Sequence, residues 1–133
     1  MADKSMGQMR GAAVLEAFLR VMAREKDKNI TEILAIAVKE PAPMFFVDYS
    51  RAQRMVSELE RKGRKPRNPH KAAMVEELHR RWKARGVRRY VALGEIIEQP
   101  APSFYMSLDN FKATVYKMLK YERENRRNKK ENK

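Results

Sequence analysis

The sequence predicts an all-α protein built as a tandem duplication of a three-helix unit, with a period of about 59 residues. Apolar residues recur at spacings of three and four in several segments, which is typical of amphipathic helices. Residues that favour helix starts stand in front of several of these segments. The stretches EPAPMFFVDYS, from Glu40, and QPAPSFYMSLD, from Gln99, share a Pro-Ala-Pro-x-aromatic pattern followed by a cap residue.

A shift of 59 residues superimposes these two stretches and also matches apolar positions on either side of them. The polar surface positions barely match. This pattern is expected of a duplicated unit that has kept its core while its surface diverged. The matched pairs are Leu19 with Leu78, Leu34 with Leu93, Ala37 with Ile96, Val38 with Ile97, Phe45 with Phe104, Phe46 with Tyr105, Val47 with Met106, Asp48 with Ser107, Val56 with Val115 and Leu59 with Met118.

The first unit, residues 1–62, begins with two predicted helices. The first helix is GAAVLEAFLRVMAREK, residues 11–26. Asn29 is the predicted cap of the second helix, residues 30–39, and Glu32 completes a capping-box pattern. The second helix is almost wholly apolar, so it is expected to lie at the centre of the unit. The predicted inward face of the first helix consists of Leu15, Phe18, Leu19 and Met22.

A proline crossover is predicted to separate the second helix from the third. Pro41 ends the helix, and the residues before Pro41 and Pro43 are pushed into extended conformations. Phe45 is predicted to anchor the crossover in the core, and Asp48 to cap the next helix. An alternative is that MFFV and SFYM pair as a short two-stranded β-ribbon. The equivalent structural residues of the second unit are Pro100, Pro102, Phe104 and Ser107.

The rest of the chain is predicted to repeat this plan. The third helix covers residues 49–62, and a basic linker, residues 63–69, follows it. The second unit, residues 70–125, begins near Pro69, a favoured first-turn residue. Residues 126–133 are predicted to form a disordered basic tail. The residues predicted to be buried are Tyr49, Ala52, Val56, Leu59, Met74, Leu78, Trp82, Leu108, Phe111, Val115 and Met118.

Charge is the strongest indication of function. The chain of 133 residues carries a formal net charge of +13. Residues 1–61 contain 10 Lys/Arg against 9 Asp/Glu, whereas residues 62–133 contain 20 against 8. Such an asymmetry indicates a surface that faces a polyanion.

The residue types present make catalysis an unfavoured interpretation. The absence of Cys excludes disulfides, Cys-ligated zinc and iron–sulfur sites. Glu76 and His79 have the Glu-x-x-His spacing of di-iron bundles, but the second such motif is missing. No phosphate-binding glycine loop is present. We therefore expect a protein that is not an enzyme and that has no metal or cofactor. No apolar run approaches about 18 residues, so we expect a soluble, cytoplasmic protein without membrane association.

The segment KGRKPRNPHK, residues 62–71, holds five Lys/Arg and no acid. It resembles an AT-hook, whose core is Gly-Arg-Pro with basic flanks, although Lys65 stands inside that core here. The resemblance implies that Arg64 and Arg67 lie in a narrow minor groove. The alternative is a solvated basic linker between two packed units.

Three short helices of which the last is basic also resemble the helix-turn-helix class, and that resemblance implies base reading by the third helix. The connection before it covers about nine residues, 40–48, where the class usually has three or four. Myb-type repeats are similar in being tandem three-helix units, but their regularly spaced tryptophans are absent, since Trp82 is the only Trp in the sequence.

These observations predict a non-enzymatic DNA-binding protein of regulatory, architectural or mobile-element type that binds mainly through phosphate contacts. Duplex DNA is favoured over RNA as the partner, and the first unit offers a surface for self-association. The alternatives are an RNA- or ribosome-associated protein and a helical adaptor that docks an acidic protein. The predicted nucleic-acid-binding residues are Arg64, Lys65, Arg67, Lys71, Arg80, Arg81, Lys83, Arg85, Arg88, Arg89, Asn110, Lys112, Lys117, Lys120, Arg123, Arg126 and Arg127.

Overall fold

A computed structural model describes the backbone of residues 5–86 and 89–131 and the side chains of residues 5–86 and 91–128. The protein is 71% helical and has no strand within those ranges, so the predicted all-α class is confirmed. No helix of the described chain combines the length and the apolar character needed to cross a membrane. The helices are α1 (Met6–Arg24), α2 (Ile30–Ala37), α3 (Tyr49–Lys62), α4 (Pro69–Ala84), α5 (Arg89–Ile97) and α6 (Leu108–Glu131).

The helix starts follow the cap residues in the sequence. Asn29, Asp48 and Ser107 each accept a hydrogen bond from the backbone N–H three residues further on, at 2.9, 2.7 and 3.1 Å. These bonds satisfy N–H groups that have no partner inside the helix. Pro69 is the first residue of α4, where its missing N–H costs nothing. The predicted starts of α2, α3, α4 and α6 are therefore confirmed.

The six helices form two compact units that are not continuous in sequence. The first unit contains α1, α2 and α6, and the second, residues 41–105, contains α3, α4 and α5. Within each unit every helix packs against the other two. This grouping differs from the division of the chain into residues 1–62 and 70–125. Since ten largely extended residues reach up to about 30 Å, each proline crossover is long enough to carry its third helix away from the two helices before it.

The two crossovers meet inside the second unit. The N–H of Ala42 donates to the carbonyl of Ala101 at 2.9 Å, and the N–H of Ala101 donates back to Ala42 at 2.9 Å. This antiparallel bridge lies between prolines, which lack the N–H needed to lengthen a ladder. The ribbon expected from MFFV and SFYM is therefore absent from the described residues, and a single pair of alanines takes its place.

Aromatic rings close the crossovers beyond the bridge. Phe45 stacks on Tyr105 with ring centroids 6.0 Å apart, and Phe46 stacks on Phe104 at 6.3 Å. Phe45 and Phe104 are buried, as expected of anchoring residues. Tyr105 has a φ of 54°, a left-handed conformation that costs a non-glycine residue of order 1–3 kcal/mol. The stacking contact with the Phe45 ring helps to hold Tyr105 in this left-handed conformation.

Four residues predicted to be buried are exposed instead. Leu19 and Met22 of α1 are 40% and 39% exposed, because the buried face of that helix runs through Val14, Phe18 and Val21. The predicted buried face of α1 is therefore displaced by about one residue from the observed one. Tyr49 and Leu108, at 39% and 42% exposed, occupy the first turns of α3 and α6, before those helices enter their packed segments. The inward positions of Trp82, Leu78 and Met74 on α4 are confirmed.

A close approach within the first unit gives a test of the grouping. A Cβ atom added to Gly11 of α1 would stand 2.8 Å from Sδ of Met118 on α6, whereas one added to Gly7 would meet only Ser5 Oγ, at 3.9 Å. Replacing Gly11 by Leu should therefore overpack the contact between α1 and α6 and lower the free energy of unfolding by about 1–3 kcal/mol.

The matched control is Gly7→Leu, which has the same gain in helix propensity and no contact to overpack. Urea unfolding followed by circular dichroism measures both variants. Equal stabilities would show that α6 does not pack on α1.

Candidate nucleic-acid interface

Many cations of the second unit lie against carboxylates. Five of the bases that the sequence analysis assigns to nucleic-acid binding in the linker and α4 form ion pairs instead of standing free. Exposed pairs of this kind contribute little stability but remove net charge locally. The pairs are Lys65 with Glu76, Arg80 and Arg81 with Glu77, Lys83 with Glu60 and Arg85 with Glu95.

Arg81 is the most enclosed of these cations, with a side chain 24% exposed. Its Nε donates to Glu77 Oε2 at 2.8 Å, and its Nη1 donates to the carbonyl oxygen of Pro100 at 3.1 Å. Its guanidinium carbon lies 5.0 Å from the centre of the Phe45 ring. Arg81 therefore ties α4 to both crossovers and has an architectural role.

Arg80 holds the other side of the same carboxylate. Its Nε and Nη2 donate to Glu77 Oε1 and Oε2 at 2.8 and 2.6 Å, while 69% of its side chain remains exposed. The hydrogen bond from Arg80, reinforced by the one from Arg81 and opposed by partial burial, lowers the pKa of Glu77 to about 2. The same bond raises the pKa of Arg80. Burial, followed by the charge of Glu77, raises the pKa of Tyr105.

The Glu-x-x-His motif of α4 does not converge on a metal site. Glu76 is held by Lys65, and His79 Nε2 lies 2.5 Å from Glu60 Oε2 on α3. Lys83 Nζ is 3.7 Å from the same Glu60 oxygen. No group of three or more potential ligands is assembled in the described part of the chain. The two residues instead join α4 to the linker and to α3.

Three predicted site residues in the linker and the first turn of α4 have no carboxylate partner in the described chain. Arg64, Arg67 and Lys71 are exposed, and none of them has an acidic partner among the described side chains. Gly63 ends α3 with a φ of 65°, a left-handed turn for which glycine is suited. The six residues 63–68 then connect the two helices.

Helix α6 carries the largest set of exposed cations. Phe111 and Val115 bury one side of the helix in the first unit, and every described side chain beyond Leu119 is exposed. Glu122 and Arg126 are four residues apart, but they form no ion pair among the described side chains. The tail predicted to be disordered from residue 126 continues as helix to residue 131, because its Glu, Arg and Lys residues favour helix. The cations without a carboxylate partner in the described chain are Lys112, Lys117, Lys120, Arg123, Arg126 and Arg127.

Four of these cations lie on one face of α6, which we name the α6 basic stripe. Lys112, Lys120, Arg123 and Arg127, together with Tyr116, are spaced by four, four, three and four residues, as neighbours on a helix surface are. The stripe is about 22 Å long. Tyr116 is 47% exposed, and its ring centre lies 6.0 Å from the Lys112 ammonium.

Three predicted residues of α6 lie off the stripe: Asn110, Lys117 and Arg126. Asn110 and Lys117 are seven residues apart and share a neighbouring face of the helix. The backbone carbonyl of Asn110 accepts a hydrogen bond from Thr114 Oγ1 at 2.8 Å. Arg88 lies outside the described residues, and Arg89 begins α5 without a described side chain.

The sequence analysis missed exposed cations on α3. These residues alternate with the buried Ala52 and Val56, a helical pattern that identifies an outward face. They were passed over because residues 1–61 are nearly neutral in total. None has a carboxylate partner among the described side chains. They are Arg51, Arg54 and Arg61.

The regrouping of helices also changes how the charge is shared. The first unit carries 16 Lys/Arg against 10 Asp/Glu and the second 14 against 7, so the excess is +6 and +7. The asymmetry seen along the sequence is therefore absent from the folded units. The sequence matches no protein-family model, and neither a curated protein nor a solved structure matches the chain. Function is therefore inferred from these residues and their geometry.

The contacts of Arg81 predict a stability difference between two adjacent arginines. Arg81→Ala removes bonds to Glu77 and Pro100 and the contact with the Phe45 ring, and should lower the free energy of unfolding by about 1–3 kcal/mol. Arg80→Ala, with an exposed side chain, is the matched control and should change stability little. Urea unfolding measures both, and equal losses would contradict an architectural role for Arg81.

The low pKa of Glu77 predicts an acid-dependent contribution to stability. The folded pKa of about 2 lies below the ordinary value of 4.5, so the contribution is present above pH 4.5 and is lost as the pH falls towards 2. Wild-type protein should therefore lose stability more steeply than Glu77→Gln across that window. Thermal unfolding at a series of pH values measures the slopes. Glu98→Gln, an exposed position, should follow wild type, and a Glu77→Gln slope equal to both would contradict this assignment.

Proposed function

We propose that the chain is a duplicated three-helix unit whose third helices are exchanged between the two copies. The bridge between Ala42 and Ala101 supports this proposal, because these residues are 59 apart and so are equivalent under the shift found in the sequence. The packing supports it as well. Helices α1, α2 and α6 of the first unit correspond to α4, α5 and α3 of the second. All three helix pairs within each unit are in contact, so each contact in one unit has its equivalent in the other.

The ring contacts follow the same shift. Under the shift of 59 residues, Phe45 is equivalent to Phe104, and Tyr105 is equivalent to Phe46. The equivalent of the stacked pair Phe45 and Tyr105 is therefore the second stacked pair, Phe104 and Phe46. Contacts that interchange in this way are expected where two copies of one segment meet about a local twofold axis.

Burial patterns extend the equivalence to the helices. Ala52 and Val56 of α3 are buried like Phe111 and Val115 of α6, at the shift of 59. In the first helices the buried positions match at a shift of 60, so Phe18 rather than Leu19 corresponds to Leu78. The later copy is one residue shorter between its first and second helices, which accounts for the change.

On this scaffold the chain acts as a non-enzymatic DNA-binding protein. The observation that carries this proposal is the contrast between α4 and α6. Around α4, carboxylates lie against Lys65, Arg80 and Arg81, whereas α6 leaves six described cations exposed and without carboxylate partners although Glu122 and Glu124 are close in sequence. Like charges held together repel one another, and a polyanion relieves that repulsion.

Binding is driven by release of counterions from the phosphate backbone. The contacts come from the α6 basic stripe, from the linker residues Arg64, Arg67 and Lys71, and from the exposed bases of α3. Each phosphate that is neutralised contributes about −0.9 to the slope of log K against log salt. With six to ten contacts, affinity falls by on the order of a thousandfold or more between about 50 and about 200 mM salt. A mild salt dependence would contradict the proposal.

A comparison of two triple variants tests which cations take part. Replacing Lys120, Arg123 and Arg127 by Gln should reduce the salt slope by about two to three units, since three unpaired cations are lost. Fluorescence anisotropy with a labelled random-sequence duplex across a salt series measures the slope. Circular dichroism establishes that each variant is folded.

The matched control replaces Lys65, Lys83 and Arg85 by Gln, which removes the same charge from residues already held by carboxylates. Its effect on the slope should be clearly smaller. Equal effects would mean that net charge alone drives binding and that the α6 basic stripe has no special role. A structured RNA that competes better than duplex DNA would favour the RNA-associated function instead.

A further inference from the structure

Resting on the proposed DNA-binding function, we infer that α6 lies along the outside of one phosphate strand and does not enter the major groove. Helix α6 therefore contributes affinity for duplex DNA without reading its base sequence. This assignment follows from the arrangement of charge around the circumference of the helix.

The basic stripe occupies a narrow part of that circumference. With about 100° between successive residues, its five members fall within an arc of about 80°. Each strand of B-DNA presents a charge about every 3.4 Å along the helix axis, so a stripe of about 22 Å spans roughly six phosphates. A narrow row of cations of that length suits a single strand.

Acidic residues stand on both sides of the stripe. Glu124 lies about 80° from its centre in one direction and Glu122 about 120° in the other. Both are exposed, and neither has a cationic partner among the described side chains. A helix 10–12 Å across fills the major groove, which is about 12 Å wide, so both of its sides face phosphates. Lys117, about 100° from the centre on the side of Glu124, and Arg126, about 80° from it on the side of Glu122, make the two sides close to neutral. Entry would turn these nearly neutral sides towards the phosphates and the four cations of the stripe towards the bases.

The asparagine amides of α6 lie on the other side of the helix. Asn125 and Asn128 are exposed at about 180° and about 120° from the centre of the stripe. An asparagine amide can recognise adenine in the major groove. When the stripe contacts a phosphate strand, however, both amides are turned away from the DNA. Phosphate binding by the stripe therefore occupies the cations that could read guanine and excludes adenine reading by these amides.

The packed half of α6 restricts its approach as well. Phe111 and Val115 are 0% and 1% exposed, because α1 and α2 cover that side of the helix. Lys112 and Tyr116 of the stripe are on the same stretch of helix and point outward. This covered half, up to Leu119, can lie on a backbone but cannot be surrounded by the walls of a groove, so Lys112 can meet phosphates only from outside.

Selection from a randomised duplex pool, followed by affinity measurements on the full-length chain, tests the inference. We expect no enriched motif, a change of less than about twofold for Asn125→Ala with Asn128→Ala, and an equal loss on every sequence for Arg123→Gln. An Asn–adenine contact is worth about fivefold or more, so its loss would be visible. Glu124→Gln should raise affinity no more than Glu16→Gln, an exposed control on α1 that adds the same net charge.

An enriched motif whose binding falls with the two asparagine variants would overturn the backbone-only assignment while leaving DNA binding intact. A gain for Glu124→Gln of about fivefold or more over Glu16→Gln would do the same, since it would place that carboxylate against phosphate. Failure of the wild-type chain to bind any duplex would instead overturn the proposed function.

Discussion

The antiparallel contact between Ala42 and Ala101 is the constraint on which the helix grouping depends. Each alanine has a proline on both sides, so its own N–H is the single backbone donor of its Pro-Ala-Pro triplet. The N–H of each alanine donates to the carbonyl of the other. The pairing fixes where the two extended segments cross. Stacked aromatic rings and the Arg81 guanidinium then hold the segments against α4. Because the crossovers are fixed at this point, α3 and α6 enter units other than those their sequence positions suggest.

This grouping also decides where charge is compensated. Glu60 of α3 lies against His79 and Lys83 of α4, a contact that exists because α3 packs in the second unit. Helix α6 joins α1 and α2, and its cations have no carboxylate partners among the described residues. The grouping that places α6 with α1 and α2 therefore leaves its described cations without carboxylate partners.

Local features of the fold could be predicted from the sequence, whereas its long-range contacts could not. Cap residues such as Asn29 and Asp48 act through bonds only three residues away, so their positions in the sequence determine the helix starts. The bond between Arg81 and Pro100 spans 19 residues and depends on how the crossovers meet. The pairing of Glu77 with Arg80 and Arg81 could have been predicted, because residues three and four apart are neighbours on a helix surface. The sequence analysis overlooked it.

The exposed half of α6 links electrostatics to helix stability. An isolated helix of about 12 residues is marginal in water, and beyond Leu119 this helix has no described buried side chain to support it. It propagates from the packed half, which supplies the nucleus. Arg123 and Arg127 are four residues apart, and like charges at that spacing destabilise a helix by a few tenths of a kcal/mol. A phosphate strand along the stripe would cancel that repulsion, so binding of the proposed polyanion would also stabilise the helical form of this face.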